Sequence, residues 1–577
     1  MLEALRKQVD RARFIARAMR STGIIKPVRP ARLVEFARGA GKLGVGVHLA
    51  VMFHAAAHPD KEALVEYGPA GVTRMTWGEL EATINRLANA LRARGVTRGS
   101  RIALMLPNSR EYLIAQHTLA RLGATAVQIG YRLKPGEIAY ILSSAEPSVT
   151  LVHADHLDAM TRARVQAGTR GPLIVVGEPA GAPPSPHAPE IIAWERALAE
   201  ASPELPARAP GGGRAGTTDD GGMIVYTSGT TGKSKGAHRS WKTTGLESVA
   251  DLLLRVGIRA DDRHLVVCPL YHSAAPAFVA IMVALGGTVV LMNHFDPAGA
   301  LDIIQRERVT CTMMIPTMIV RITNLPDETL ARYDTSSLRW VMSAAAPLST
   351  EASRRFMARF GPILWNFYGS TETGLVTLAG PGDHLTRPGT IGRALRGNEI
   401  RLCDDRGRDL AADHADRPDQ ADQAAQVGEL YVRNAMLISG YDKNEAATRA
   451  SLRDGFFSVG DMARRDSCGY YYLESRKHDM VISGGVNIYP REIEDHLHTH
   501  PAILEAAVVG VPDPEWGETL RAFIVLREGH ALGADEVIAF CRDGLADFKR
   551  PRKVTFLAEL PRNPTGKVLK RELRELP

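Results

Sequence analysis

The sequence has little cysteine: five residues in 577, at 268, 311, 403, 468 and 541, with no CxxC pair. That scatter excludes a disulfide framework and a thiolate zinc site, and it fits a reducing compartment. Long apolar runs are also missing. The two longest, near 43–57 and 278–292, carry His48 and His54 in one and Gly286-Gly287 in the other. Both fall short of the ~20 residues a spanning helix needs, so both read as core. No secretory leader is legible, because charges continue through the first forty residues without an apolar stretch. Nor is there an internal repeat. The body lacks excess charge as well. Residues 1–45 hold eleven Lys/Arg against Glu3, Asp10 and Glu35, a net +8, and the whole chain sums to +7, which leaves −1 for the rest. The body therefore carries no electrostatic footprint of nucleic-acid binding, and the expectation is a cytoplasmic protein.

What is present is a globular composition, 45% apolar and 23% charged, in a chain too long for a single core. In the arm, Leu2, Leu5, Val9, Ala12, Ala16 and Met19 recur at helical spacing with arginines between them. Such a basic amphipathic helix suits an anionic membrane surface, and equally a helix packed on the body with a solvated basic face. From about 75 to 175, helical patterns alternate with short apolar runs, which predicts layered, largely parallel α/β sheets. Residues 178–221, rich in Pro, Gly and Ala, read partly as a surface excursion, and 404–426 as an enlarged polar loop.

The most informative segment is IVYTSGTTGKSKGAHRS at 224–240. An apolar strand end runs into a turn of glycines and small hydroxyl residues, which lets backbone and side-chain donors approach a polyphosphate. Gly232-Lys233-Ser234 imitates the end of a Walker A loop, but Thr227 stands where that motif needs glycine, which argues against a kinase-like P-loop NTPase.

This segment resembles the YTSGTTGxPKG signature of the adenylate-forming superfamily, which includes acyl-CoA synthetases, luciferases and peptide-synthetase adenylation domains; Ser234 replaces the usual proline. The resemblance implies ATP binding by Thr227, Ser228, Gly229, Thr230, Thr231, Gly232 and Lys235. Further motifs follow in the family's order. Pro269 to Ser273 resembles the segment whose side chain borders the acyl site, which singles out His272. Ser343 to Leu348 resembles SGGAPL, lining the adenine and acyl pockets, with alanines, Ala345 among them, replacing glycines. Asn366 to Gly374 is similar to the YGxTE motif and implies nucleotide contacts from Asn366 and Gly369, adenine stacking by Tyr368 and an α-phosphate contact from Thr371. It also implies Mg²⁺ held by Glu372, where one carboxylate suffices because the phosphates supply other ligands. Asp461, in a segment like TGD, suits two ribose hydroxyls, and Arg476 is implied to reach ribose or phosphate. Gly484 and Gly485 are implied to let the pantetheine of coenzyme A pass. Pro561 to Lys567 resembles PRNxTGK, which makes Lys567 the catalytic lysine.

The resemblance implies a large N-terminal domain of layered α/β sheets and a small mobile α+β C-terminal domain. The expected organisation is an arm over 1–45, an adenylation domain over 46–477 and a lid over 478–577, hinged at His478 where the family has Lys or Asp. ATP, Mg²⁺ and coenzyme A are the implied partners, and the implied reaction makes an acyl-adenylate and then a thioester. Small residues at 343–346, apolar segments at 278–292 and 311–320 and the basic arm favour a medium- to long-chain fatty acid. An acyl-AMP ligase serving a carrier protein, or a ligase for aryl or short-chain acids, uses the same motifs. A homodimer and peripheral contact with the inner membrane face through residues 1–45 stay open.

Overall fold

The structure is a computed structural model that describes residues 2–577 apart from 25–27, 44–45, 179–189, 207–220, 228–233, 242–244, 411–425, 484–485 and 564–565. Local chemistry sets the element ends. Helix Trp77–Ala93 starts on a capping box, with Thr76 accepting from the Glu79 amide and Glu79 reaching back. Helix Arg110–Leu122 starts on the Ser109 side chain and stops at Gly123, whose φ of 65° is the left-handed conformation glycine adopts without cost.

The described strands form three sheets. In the largest, of fourteen strands, Glu62–Gly68, Thr288–Met292, Arg263–Val266, Cys311–Met314, Trp340–Ser343 and Leu364–Ser370 run parallel to one another. Strands Thr288–Met292 and Trp340–Ser343 are buried at every position, as expected where helices cover both faces of a sheet. The expected apolar runs are core: helix Ala274–Leu285 and strand Thr288–Met292 come from one of them. The second sheet, of eight strands, pairs Thr125–Gln128 with Gly222–Thr227, which then pairs antiparallel with Lys235–Ser240. The third, of five strands, is built wholly from residues 481–556 and carries helices Pro490–Leu497 and Ala534–Gly544. The architecture is thus a large layered α/β body followed by a small α+β unit.

Helix Leu2–Ser21 lies against helix Leu246–Val256. Arg11 pairs with Glu247 at 3.2 Å, Arg396 sits 4.1 Å from the Phe14 ring centroid, and Ala18 is fully buried. Within 178–221, the described residues include strand Ile191–Ala193 and helix Trp194–Ala199, so part of that stretch is built into the second sheet.

Candidate functional site

The site forms where the parallel strands of the largest sheet end and the end of strand Gly222–Thr227 arrives from the second. Strands Leu364–Ser370 and Gly374–Ala379 make a hairpin, so Thr371, Glu372 and Thr373 sit in its turn, not in a capped helix. The hairpin closes tightly: a Cβ on Gly369 would lie 1.9 Å from the Gly374 carbonyl oxygen, so only glycine fits. Ser370 Oγ accepts from the Glu372 and Thr373 amides, both at 3.1 Å, which fixes the turn.

Glu372 is buried, and two hydroxyls donate to one oxygen of its carboxylate: Thr227 at 3.3 Å and Tyr441 at 3.2 Å. Thr227 is the last residue before the expected phosphate loop, so the loop's start and Glu372 meet. Lys235, on the returning strand, places its ammonium 5.2 Å from the Tyr441 ring centroid. Ser228, Gly229, Thr230, Thr231 and Gly232 lie outside the described residues, as do Gly484 and Gly485.

Behind the turn lies Arg239. Its guanidinium donates to the Thr371 carbonyl at 2.6 Å and to the Met436 carbonyl, and burial, opposed by Glu372, pushes its pKa down to about 10. Segment 434–438 braces the same turn: Asn434 Nδ2 donates to the Thr373 carbonyl at 2.9 Å, and the Ile438 amide donates to the Glu372 carbonyl at 2.9 Å. In front, the Ser273 and Thr371 hydroxyls are 3.0 Å apart, which brings the Pro269–Ser273 segment to the turn. His272 packs on Tyr271 at 4.2 Å. That segment is pinned from below by Asn108, which donates to the Cys268 carbonyl and accepts from the Leu270 amide.

Asn366 is buried beside Ser343 in register. Ala345 is exposed and adopts φ 71°, a strained conformation for a residue with a Cβ. Tyr368 is almost fully buried, and its hydroxyl donates to Asp461 Oδ2 at 2.8 Å while Arg476 meets Oδ1 at 3.2 Å. Tyr368 therefore also orients the carboxylate expected to meet ribose, a link no motif spelled out.

Lys567 reaches the same place from the C-terminal unit. Its loop is tied by the Lys567 amide to Asn563 Oδ1 at 2.9 Å and by the Gly566 amide to the Asn563 carbonyl at 2.9 Å. Gly566 has φ +78°, and a Cβ there would lie 2.6 Å from Ile315 Cδ1, so the loop seats directly on the body. Burial first, then Arg476, push the Lys567 ammonium down to about 8, while Asp461 and Asp479 pull the other way. The lysine thus shares a field with Asp461 and Arg476. His478 lies in a short 3-10 turn, Lys477–Asp479, and burial lowers its pKa, with Asp479 opposing.

Most expected residues among those described converge on this cleft. Tyr441 and Arg239 were not expected. Tyr441 is 69 residues from Glu372 and has no local signature. Arg239 had one faint signal, an arginine two residues after inward-facing Ala237 on a short strand.

The carboxylate of Glu372, held by neutral hydroxyl donors and no cation within ion-pair distance among the described residues, fits a hard cation such as Mg²⁺.

Comparison with known proteins agrees with this geometry. The AMP-binding enzyme family matches residues 52–442, and the AMP-binding enzyme C-terminal domain matches 492–567. A feruloyl-CoA synthase of an Amycolatopsis species is 34% identical over 506 residues, covering 87% of this chain and 94% of that protein. A long-chain-fatty-acid–CoA ligase of Mycobacterium tuberculosis is 32% identical over 517 residues, covering 90% and 95%. The crystal structure of an anthranilate CoA ligase with anthranoyl-AMP superposes with a TM-score of 0.80 at 26% identity, covering 92% of this chain and 97% of that one. Motifs, convergent site and both matched regions together establish that the chain belongs to the AMP-binding, or adenylate-forming, enzyme family.

Proposed function

We propose that this protein is an AMP-forming acid–CoA ligase. It joins a carboxylate to the α-phosphate of ATP with release of pyrophosphate, then passes the acyl group from AMP to the thiol of coenzyme A. The observation that carries the reading is the seating of Lys567, half-buried and with its pKa lowered to about 8, beside Asp461 and Arg476 on the cleft that holds Glu372.

A carboxylate resists thiol attack because its charge repels nucleophiles and oxide leaves poorly; a mixed anhydride with AMP removes both obstacles. In the first half-reaction a carboxylate oxygen attacks the α-phosphorus as the bond to pyrophosphate breaks. Lys567 bridges the substrate carboxylate and α-phosphate, Thr371 donates to the same phosphate, and the loop from Thr227 to Lys235 holds the leaving pyrophosphate. Asp461, oriented by Tyr368 and Arg476, takes the ribose hydroxyls. Glu372 would hold Mg²⁺, which supplies charge neutralisation on the triphosphate. This is catalysis by positioning and electrostatics. The second half-reaction needs Lys567 withdrawn so that a thiol can enter; the C-terminal unit turns at His478, and Gly484 and Gly485 border the thiol's path. The division is an arm over 1–45, a body over 46–477 and a lid over 478–577.

The similar proteins include a feruloyl-CoA synthase, a long-chain-fatty-acid–CoA ligase and an anthranilate CoA ligase, so family membership alone leaves the acid open and the pocket wall is the part that would select it. The basic first helix buries Ala18 and places Phe14 under Arg396 of the body, which favours a packed surface helix over one inserted in a membrane. The test is pyrophosphate release over a panel of acids, with and without coenzyme A. Lys567→Ala and Glu372→Gln are expected to lose ~100-fold or more of the adenylation rate. No release with any acid would overturn the reading, and transfer to a carrier protein alone would favour an acyl-AMP ligase.

A further inference from the structure

Three consecutive carbonyls of the hairpin turn are held by donors from elsewhere in the fold. Arg239 donates to Thr371 at 2.6 Å, the Ile438 amide to Glu372 at 2.9 Å and Asn434 Nδ2 to Thr373 at 2.9 Å. Fixing successive peptide planes fixes the Cα–Cβ directions between them, so these bonds aim the Thr371 hydroxyl and the Glu372 carboxylate. Two of the donors belong to segment 434–438. The third, Arg239, is the charged one, and it comes from strand Lys235–Ser240, which leaves the expected phosphate loop.

Side chains alternate along a strand, so Lys235, Ala237 and Arg239 share one face. Their contacts agree: Lys235 lies over the Tyr441 ring, Ala237 packs with Ile438 and Tyr441, and Arg239 donates to the Met436 carbonyl. The strand is tied to the same segment by its backbone. The Ser439 amide donates to the His238 carbonyl at 2.9 Å and the Asp442 amide to the Gly236 carbonyl at 2.7 Å. Met436 in turn presses on the hairpin, since a Cβ on Gly374 would lie 2.7 Å from Met436 Cβ. One guanidinium therefore joins its own strand to two segments 132 and 197 residues away.

We propose that Arg239 is a positioning residue for adenylation: it locks the strand that leaves the phosphate loop to the turn, so that Thr371 and Glu372 hold a fixed offset from Thr227 and Lys235. This rests on the activity proposed above and assigns a further residue to it. The planar fork is what the task needs. Two separate nitrogens reach two carbonyls on different segments, which a single ammonium does not span. Arg239 acts through Thr371 and takes no part in the bonds that change.

The experiment is acid-dependent pyrophosphate release by the full chain, for the parent, Arg239→Gln, Arg239→Lys, Thr371→Val and the Arg239→Lys, Thr371→Val double variant. A displaced donor costs most where charge develops, so kcat is expected to fall about 10-fold or more in Arg239→Lys while KM for ATP moves less than about 3-fold. An arginine that acts through Thr371 makes the two losses overlap. Thr371→Val is therefore expected to cost several-fold less in the Arg239→Lys background than in the parent. A merely structural role gives losses that multiply. If Arg239→Gln fails to fold, the charge-keeping Arg239→Lys decides. The proposal is overturned if folded Arg239→Lys keeps the parent's kcat, or if the two losses multiply. A parent that releases no pyrophosphate with any acid overturns the activity itself, and this assignment with it.

Discussion

At the scale of single residues, Lys567 makes the sharpest statement about pH. Its proposed role needs the ammonium, and its pKa is depressed from 10.5 to about 8, so the charge is present below that value and lost as pH rises through it. Adenylation kcat/KM, which reports the free enzyme, is therefore expected to fall above pH ~8, where an ordinary lysine would stay charged to ~10. Lys570 lowers and Asp479 raises the same pKa, so Lys570→Gln moves the basic limb up and Asp479→Asn moves it down. A rate still flat at pH ~9.5, or a limb that ignores both substitutions, would refute this. Residues such as Glu372, Asp461 and Lys567 were legible because each sits inside an unbroken run of motif residues. Tyr441 and Arg239 were not, because what defines them is a contact across the fold: Tyr441 meets Glu372 only because strand Gly440–Tyr441 pairs with Lys235–Ser240. The strain at Ala345 was likewise invisible, since φ is a property of the turn and not of the residue.

At the scale of elements, the first helix is a worked case. Its apolar spacing was readable, but spacing alone does not say what the apolar face meets. Here it meets helix Leu246–Val256, and the Ala260 amide donates to the Thr22 carbonyl at 2.8 Å just beyond its end. Ala18→Glu would bury a carboxylate with no designed partner and is expected to cost about 1–3 kcal/mol, read as a lowered denaturation midpoint. Arg17→Gln, on the exposed side, is expected to stay within about 0.5 kcal/mol. Equal effects from both would mean the helix does not dock as described. The alternation over 75–175 was read correctly because long amphipathic helices and buried strands have distinct periods. Strand Ile191–Ala193 and helix Trp194–Ala199 escaped because three and six residues among Pro, Gly and Ala carry no period to detect.

For the whole molecule, four histidines dominate the response to acid. Burial lowers His54, His117 and His384 to about 4 and His264 to about 3, all from 6.5. These values are depressed on folding, so at these sites the unfolded chain binds more protons below pH ~6.5; Glu66, raised to about 7 by burial, opposes them with a single group, and the balance is a stability that falls with pH. Each site contributes about 1.4 kcal/mol per pH unit between its two pKa values. The denaturation midpoint is therefore expected to drop steeply from pH 6.5 to 5, and His264→Asn to flatten that slope; an unchanged slope would exclude the site. The three sheets follow from the chain's own punctuation, whereas the meeting of the third with the first depends on contacts as small as Gly566 resting on Ile315. That perch has a consequence for traffic. Under the proposed mechanism, the segment carrying Gly566 and Lys567 stops the cleft while it sits on this perch, and it is also the piece assigned the opening step. Acid and ATP would then have to finish before the thiol is admitted, a queue whose order occupancy enforces.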